Sequence, residues 1–329
     1  MQNGRPDFLE KIIESEQIKK KIGIVDNVKE IDEGLNSIFL LEASERYILK
    51  VHTIPRNDVE WFRAEPLIYS RLENLEIPSP EIILSELSEE HHENAFFIME
   101  EMPGVNPAAF KEDVSFQALK SIVNQFGRFL GEIHEGYEID DYGMLGGFDG
   151  EISGIESPEK WTWAVKGAVD ELEDLIEDGW DADIDPSFTS EEEIYETLPE
   201  NPDSVLLHLD NRLDNLLVDA DQVTAFLDWS HPEAGHYEYD LVRAEYLLID
   251  MDLDFFEEEK RDKLSKVLYE GYESVSSVNK DDFEDRREIY RKITLMWVLA
   301  GFPNWKSKLD EDERKQKKKY LVEKAEREL

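Results

Sequence analysis

The spacing of apolar residues changes character along the chain. In roughly the first hundred residues, short apolar runs are separated by turns, which is typical of β-strands in hairpins. Further on, apolar residues recur every three or four positions, which predicts amphipathic helices. The pattern therefore indicates an α+β protein. The predicted strands are Ser37–Leu41, Tyr47–His52, Glu81–Leu84 and Ala95–Met99. The predicted helices include Asp7–Lys21, Asn57–Leu75 with Asn57 as its cap, Phe116–His134, Phe255–Val275 and Phe283–Leu299. A further helix is predicted to be capped by Ser157, and its expected buried face consists of Trp161, Val165, Ala168, Leu172 and Leu175.

One stretch, residues 204–228, combines three short strands with polar loops. Between the first two strands, His208, Asp210 and Asn215 follow the spacing H-x-D-x-x-x-x-N, and the third strand ends on Asp228. This is the spacing of the kinase catalytic loop, in which the Asp accepts a hydroxyl proton and the Asn binds a metal ion. Phosphoryl transfer needs one carboxylate at the nucleophile and hard oxygen ligands for Mg²⁺, and short loops between strands hold such groups on one edge.

The same stretch carries a family resemblance. The segment HLDNRLDNLLVD, followed by VTAFLDWS, resembles the aminoglycoside phosphotransferase and choline-kinase-like family, whose loop reads H-G-D-x-x-x-x-N before a strand ending I-D-W. The resemblance implies a two-lobed protein-kinase-like fold that transfers the γ-phosphate of ATP to a hydroxyl of a small molecule. It also implies Asp210 as the base, and Asn215 with Asp228 as Mg²⁺ ligands. Leu209 stands where the family has Gly, and because Leu favours ordinary backbone angles, the loop geometry is expected to differ.

Two residues of the first lobe agree with this resemblance. Lys50 lies in RYILKVH between apolar neighbours, which resembles the V-A-I-K strand whose lysine binds the α and β phosphates. Glu65 lies where the family has the glutamate that pairs with this lysine. Pro66 follows directly, and because proline removes a helical hydrogen bond, Glu65 is expected to lie at a kink.

Further nucleotide contacts are implied by the resemblance alone. Gly34, Asn36 and Ser37 loosely resemble the family's Gly-Ser-Asn loop, although a G-x-G-x-x-G motif is absent. The segment MEEMPG resembles the hinge between lobes, where the backbone at Glu100 and Met102 would recognise adenine. Its position divides the chain into an N-terminal nucleotide-binding lobe, residues 1–101, and a C-terminal catalytic and substrate lobe, residues 102–329.

Arg212 lies inside the catalytic loop, two residues after Asp210. Protein kinases carry a lysine at this position close to the transferred phosphate, so Arg212 is predicted to donate hydrogen bonds to the γ-phosphate oxygens. The alternative is an ion pair with Asp214 that stiffens the loop.

Two other polar residues are predicted to be structural. Asp240 resembles the aspartate of the family's D-P-x-x-D-L-A segment, which caps a helix. His134 lies near a predicted helix end, where a protonated imidazole would interact favourably with the helix dipole.

Charge and composition limit the partners. Asp and Glu number 78 against 36 Lys and Arg, giving a net charge of −42 spread along the whole chain. Such a surface repels nucleic acid and anionic membranes, and a global acidic excess favours a halophilic protein, because high salt screens its self-repulsion. A melting temperature independent of KCl concentration would contradict this adaptation. The sequence has no cysteine, no signal-peptide pattern and no apolar run of bilayer length, which predicts a cytoplasmic protein.

Two other functions fit parts of the sequence. A nucleotide-binding pseudokinase is favoured by Leu209, Pro66 and the poor glycine loop. A protein kinase is disfavoured because no A-P-E segment or activation loop follows Asp228. The phosphate acceptor is left open among aminoglycosides, choline-like amino alcohols, sugars and hydroxyacyl compounds, and the oligomeric state is not predicted.

Overall fold

The N-terminal lobe is built on a five-stranded antiparallel sheet. The computed structural model describes residues 6–31, 36–53, 59–75, 77–87, 94–180, 184, 187–305 and 309–328. The sheet has the order β1-β2-β3-β5-β4. Lys50 lies in β3 opposite Ile38 of β2 and Phe97 of β5, at the centre of the sheet. The strands are β1 (Asn27–Ile31), β2 (Ser37–Glu42), β3 (Arg46–Val51), β4 (Ile82–Glu86) and β5 (Phe96–Glu100).

Two short helices, α1 (Asp7–Ile13) and α2 (Glu16–Ile22), cover one face of this sheet. Their buried residues, such as Ile12 and Ile18, pack in one cluster with sheet residues such as Phe39. The single predicted helix Asp7–Lys21 is therefore wrong. The break occurs because the Ser15 hydroxyl accepts a hydrogen bond from the Ile18 amide and so caps a new helix.

Helix α3 (Val59–Leu72) packs between the sheet and the C-terminal lobe. Pro66 lies inside it, and the helix continues for six residues beyond the proline. Glu65, Ile68 and Tyr69 are buried on the side that faces the active site and the C-terminal core. The predicted cap of this helix, Asn57, lies outside the described residues.

The C-terminal lobe is mainly helical. Two of its helices, Phe116–Gly136 and Glu258–Glu273, cross so closely that a Cβ atom on Gly127 would lie 2.1 Å from the Leu268 carbonyl oxygen. The elements are α4 (Phe116–Gly136), β6 (Gly143–Phe148), β7 (Glu151–Gly154), α5 (Trp161–Trp180), α6 (Glu191–Thr197), β8 (Val205–Leu207), β9 (Leu216–Asp219), β10 (Gln222–Phe226), β11 (Glu233–Gly235), α7 (Tyr237–Ala244) continued by a π-helical segment (Glu245–Met251), α8 (Glu258–Glu273), α9 (Phe283–Trp305) and α10 (Glu311–Glu328).

Helix α5 differs from its prediction at both its start and its buried face. It begins at Trp161, because the Ser157 hydroxyl accepts a hydrogen bond from the Tyr142 amide and does not cap the helix. Ala168 and Leu175 were expected in the core but are exposed. Residues seven positions apart on a helix differ by about 20° in direction around its axis. Ala168 and Leu175, seven and fourteen positions after Trp161, therefore fall outside the buried stripe. That stripe consists of Trp161, Val165, Val169, Leu172, Ile176 and Trp180.

The architecture confirms the predicted α+β fold with a sheet-based lobe and a helical lobe. Within the part of the chain that the structure describes, no helix combines the length and apolar character that a bilayer crossing requires.

Candidate active site

The candidate catalytic loop, residues 208–215, runs from the end of β8 to the start of β9. The Asp210 carboxylate receives two hydrogen bonds from Arg212, from Nε at 2.7 Å and from Nη2 at 3.1 Å. The Asn215 amide nitrogen donates to Asp210 Oδ2 at 2.9 Å and to the Asp210 carbonyl at 2.7 Å. Burial acts to raise the pKa of Asp210, but the Arg212 charge and these hydrogen bonds hold that pKa below its usual value. The Asp210 carboxylate is therefore ionised at neutral pH, and 27% of its side chain is exposed.

Leu209 adopts the left-handed conformation that its position in the loop demands. Its φ angle is +61°, so the expectation that this Leu would keep ordinary backbone angles is wrong. Such a conformation costs about 1–2 kcal/mol for a residue other than glycine. The cost is offset by tertiary contacts: the Leu209 amide donates to Asp240 Oδ1 at 2.8 Å, and its carbonyl accepts from Arg243 Nε. The side chain is buried as well, so the loop reaches the required geometry without glycine.

His208 links the catalytic loop to the segment that carries Asp228. Its Nδ1 lies 3.2 Å from the Asp210 amide nitrogen, and its Nε2 lies 3.0 Å from the Leu227 carbonyl oxygen. Because the amide donates and the carbonyl accepts, these contacts require a neutral ring with its proton on Nε2. The ring also stacks on Phe226 with centroids 4.5 Å apart. Both ring nitrogens of His208 therefore have partners within the protein, and the side chain braces the loop.

The β9–β10 hairpin places Asn215 beside Asp228. The strands pair with Leu216 opposite Phe226, and the Leu227 amide donates to the Asn215 carbonyl at 2.9 Å. The Asp228 amide donates to the hydroxyl of Tyr69 at 2.9 Å. Two predicted metal ligands are thus brought to one end of one hairpin.

The oxygen atoms of these two residues fit a magnesium ion. Asn215 turns its amide nitrogen toward Asp210, which leaves its amide oxygen for another partner. Asp228 uses Oδ1 for Lys50 and Ser230, which leaves Oδ2, and 43% of its side chain is exposed. Among the described residues, no group of three or more His, Cys, Asp or Glu could hold a metal alone. Mg²⁺ suits such a site, because it commonly takes one or two protein ligands together with substrate phosphates.

Lys50 and Glu65 form a buried ion pair next to Asp228. Lys50 Nζ lies 2.6 Å from Glu65 Oε2, 3.2 Å from Asp228 Oδ1 and 3.0 Å from the Ser230 hydroxyl. Burial acts to lower the pKa of Lys50, but the two carboxylates raise it above its usual value, so the ammonium keeps its proton. Asp228 has its pKa held well below its usual value by the same lysine, against the opposing effect of burial. A fixed positive charge therefore faces the metal-ligand candidate.

The hinge candidates lie at the end of β5. Glu100 is the last residue of that strand, and Met102 follows in the extended segment that leads to the C-terminal lobe. Gly104 has a φ of +118°, and a Cβ there would lie 2.4 Å from the Thr224 hydroxyl, so glycine is required. Val105 then pairs with Val218 of β9. The segment that follows the hinge candidates is thereby joined to β9, the strand that follows the candidate catalytic loop.

The phosphate-loop candidates are partly described. Ser37 begins β2, pairs with Val51 beside Lys50, and its hydroxyl lies 3.3 Å from that of Thr53. Gly34 lies outside the described residues.

Comparison with known proteins gives the family. The sequence profile of the phosphotransferase enzyme family matches residues 27–289, a range that covers most of both lobes and every candidate site residue. The chain belongs to this family.

Solved structures show how far the fold of this phosphotransferase is shared. Aminoglycoside phosphotransferase APH(4)-Ia is 16% identical with a TM-score of 0.65, over 98% of this chain and 97% of that one. The gentamicin complex of APH(2")-IIa is 18% identical with a TM-score of 0.59, over 100% and 96%. A candidate fructosamine-3-kinase from Haemophilus somnus is 12% identical with a TM-score of 0.60, over 93% and 94%. A comparison with curated protein sequences finds no match. These likenesses confirm the kinase-like fold.

Asp240 has a role in this phosphotransferase that the sequence did not reveal. The prediction that it caps a helix is wrong, because His236 is the N-cap residue of α7. The fully buried Asp240 carboxylate instead accepts hydrogen bonds from the amides of His208 (2.9 Å) and Leu209 (2.8 Å). His134 contacts the same carboxylate at 3.3 Å through Nε2, so this histidine is structural. Asp240 therefore binds the backbone of the catalytic loop at His208 and Leu209.

Proposed function

We propose that this phosphotransferase transfers the γ-phosphate of ATP to a hydroxyl group of a small molecule. The observation that carries the proposal is the separation of two carboxylates with different partners. Asp210 is held by Arg212 and Asn215, away from Lys50, whereas Asp228 contacts Lys50. Asp210 is thus available to the acceptor hydroxyl and Asp228 to a metal-bound nucleotide. Phosphoryl transfer requires these two separate roles.

Each side chain has a distinct part in this proposal. Asp210 orients the acceptor hydroxyl and takes its proton, while Asn215 fixes the Asp210 carboxylate. Lys50 binds the α and β phosphates, and Glu65 holds the ammonium in place. Asn215 and Asp228 would hold Mg²⁺, which when bound neutralises charge on the phosphate oxygens. The backbone at Glu100 and Met102 would bind adenine, Ser37 and Gly34 would lie near the phosphates, and the lobes would divide at 101/102.

The related structures support both substrates. Thermostable mutants of APH(4)-Ia have been crystallised in ternary complexes with hygromycin B and either ADP or AMP-PNP. A nucleotide and a small hydroxylated acceptor are therefore reasonable ligands for this fold. A pseudokinase is less well supported than the sequence suggested, because Leu209 attains the left-handed conformation and Glu65 reaches Lys50 despite Pro66. The acidic excess supports work in a salt-rich cytoplasm.

The function is tested by measuring Mg-ATP binding and phosphate transfer together. Purified protein in high salt is titrated with Mg-ATP by calorimetry and then incubated with [γ-³²P]ATP and pools of hydroxylated metabolites. Binding together with a labelled small-molecule product is expected. Binding without transfer to any pool would favour the pseudokinase, and transfer to protein alone would favour a protein kinase.

Asp228→Ala is expected to weaken Mg-ATP binding by about tenfold or more, because a metal ligand already acts in the ground state. Calorimetry in the presence of Mg²⁺ measures the effect. Asp219→Ala is the matched control, since Asp219 is an exposed residue at the opposite end of the same hairpin. Unchanged affinity in the Asp228 variant would contradict its assignment as a metal ligand.

Arg212→Met is expected to lower kcat by about 10²-fold while ATP affinity and melting temperature stay close to wild type. Arg212 contacts Asp210 and lies 3.5 Å from Asp214, and we propose that its guanidinium also stabilises charge on the transferred phosphate. Arg212→Lys keeps the charge but loses the bidentate contact with the Asp210 carboxylate, so it should retain part of the activity. A variant that loses stability but keeps its kcat would show that Arg212 is a brace.

A further inference from the structure

Helix α3 carries Glu65 but is packed largely by the other lobe. Four of its buried residues belong to the main core cluster of the C-terminal lobe, and they are Ala64, Ile68, Tyr69 and Leu72. Its first turn, with Val59 and Phe62, packs instead against Ala95 and Phe97 of the sheet lobe. The position of Glu65 relative to Lys50 therefore depends on how α3 lies on the C-terminal lobe.

Helix α3 lies against strand β6 with its backbone close to Gly147. A Cβ atom on Gly147 would lie 2.6 Å from the carbonyl carbon of Arg63 and 2.7 Å from its oxygen. A Cβ atom on Gly146 would lie 3.0 Å from the Cβ of Glu60. Arg63 is two residues before Glu65, and its backbone cannot rotate aside as a side chain can. Any side chain at Gly147 must therefore push the helix away from β6.

The far end of α3 is tied to the same lobe. The Tyr137 hydroxyl donates a hydrogen bond to the Arg71 carbonyl. The Tyr69 hydroxyl accepts from the amide of Asp228, which contacts Lys50. With the end of α3 held by these bonds, a push at Gly147 would tilt the helix and change the reach of Glu65.

We propose that Gly147, assisted by Gly146, is a positioning residue for the Lys50–Glu65 ion pair. The absence of side chains at these two positions lets α3 lie directly on β6, at the depth from which Glu65 reaches Lys50 at 2.6 Å. The C-terminal lobe thereby sets the position of the phosphate-binding lysine, although Lys50 lies in the other lobe. This inference rests on the proposed function, because it assigns Lys50 to the nucleotide.

Gly147→Ala is expected to weaken Mg-ATP binding and to lower kcat/KM for ATP by about tenfold, since misplacing a catalytic group by about 1 Å costs up to 10²-fold. Two other glycine-to-alanine changes are matched controls. Gly167 is exposed on α5, where a Cβ meets no atom within 4 Å, so Gly167→Ala should change neither quantity. Gly127→Ala clashes at the α4–α8 crossing and should lower stability while the folded fraction keeps its ATP affinity.

A double-mutant cycle distinguishes positioning from general damage. If Gly147 acts through Glu65, Gly147→Ala should change kcat/KM less than twofold in a Glu65→Gln background. Equal losses in both backgrounds would overturn the inference. If Gly147→Ala fails to fold, Gly146→Ala replaces it in the same cycle. Among its three nearest contacts, the new Cβ would meet one atom of α3, the Cβ of Glu60 at 3.0 Å, and the other two are side-chain atoms of Phe148 and Ile155 that can move.

A readout without nucleotide separates this inference from the proposed function. The rate at which an amine-acylating reagent modifies Lys50, followed by mass spectrometry, should rise several-fold in Gly147→Ala and stay at the wild-type rate in Gly167→Ala. If the wild type binds no Mg-ATP while Lys50 labelling responds in this way, the proposed function fails and the positioning role stands. If neither ATP affinity nor Lys50 labelling responds to Gly147→Ala, the positioning role is overturned.

Discussion

Asp210→Asn is expected to lower kcat by about 10²-fold or more while Mg-ATP affinity stays within about twofold of wild type. The loss follows from the removal of the proton acceptor. Asparagine keeps the size of the side chain but cannot take a proton from the acceptor hydroxyl. Nucleotide binding should survive because Asp210 makes no contact with Lys50 or Glu65 in the described structure, whereas Asp228 contacts the lysine. Steady-state kinetics with an identified acceptor and calorimetry with Mg-ATP measure the two quantities.

A carboxylate in the same loop supplies the control for this variant. Asp214 is 55% exposed and lies 3.5 Å from Arg212, so Asp214→Asn makes the same chemical change beside the site and should leave kcat within a few-fold of wild type. Because the pKa of Asp210 lies below its usual value, the Asp210 carboxylate should also stay ionised from neutral to weakly acidic pH. Near-wild-type turnover of a folded Asp210→Asn enzyme would contradict the assignment of Asp210 as the proton acceptor.

The grouping of Asp210, Asn215 and Asp228 could be predicted because these residues are close in sequence. Asp210, Asn215 and Asp228 lie within one loop and one hairpin, so strand pairing alone brings two of them together. Lys50 and Glu65 were found through a strand and a helix position, and the structure joins them at 2.6 Å. Both predictions needed residue spacing and element type, which a single sequence displays.

The conformation of Leu209 could not be predicted, because its cause lies far along the chain. A leucine with φ of +61° is unfavourable by itself, and Asp240 and Arg243 hold it there from helix α7. The hydrogen-bond partners of Asp240 could not be predicted for a related reason. They include backbone amides, which leave no residue-type signal in the sequence. The contact of Gly147 with Arg63 is likewise a backbone contact between distant segments.

Asp240→Asn is expected to destabilise the protein by about 3 kcal/mol, because it breaks a buried charged network by removing one partner. The Asp240 side chain is fully buried, and its carboxylate accepts from two amides of the catalytic loop and from Asn211 Nδ2. Asparagine offers one acceptor oxygen and one donor nitrogen, so at least one buried loop amide would face another donor. A buried donor left without an acceptor costs about 1–3 kcal/mol by itself. Chemical denaturation in high salt measures the loss, and Asp262→Asn on the exposed face of α8 is the control.

The same variant should also lose turnover per folded molecule, by about tenfold or more, because the loop it releases carries the catalytic carboxylate. Without the bond from its amide to Asp240 Oδ1, Leu209 has less to offset its left-handed conformation and should relax toward ordinary angles. Asp210 follows directly in the chain, so its carboxylate would leave the position set by Arg212 and Asn215. Mg-ATP affinity should change little, because Lys50 and Asp228 do not contact Asp240 in the described structure. An Asp240→Asn enzyme that is destabilised but keeps its full kcat in the folded fraction would show that the loop holds its shape without this carboxylate.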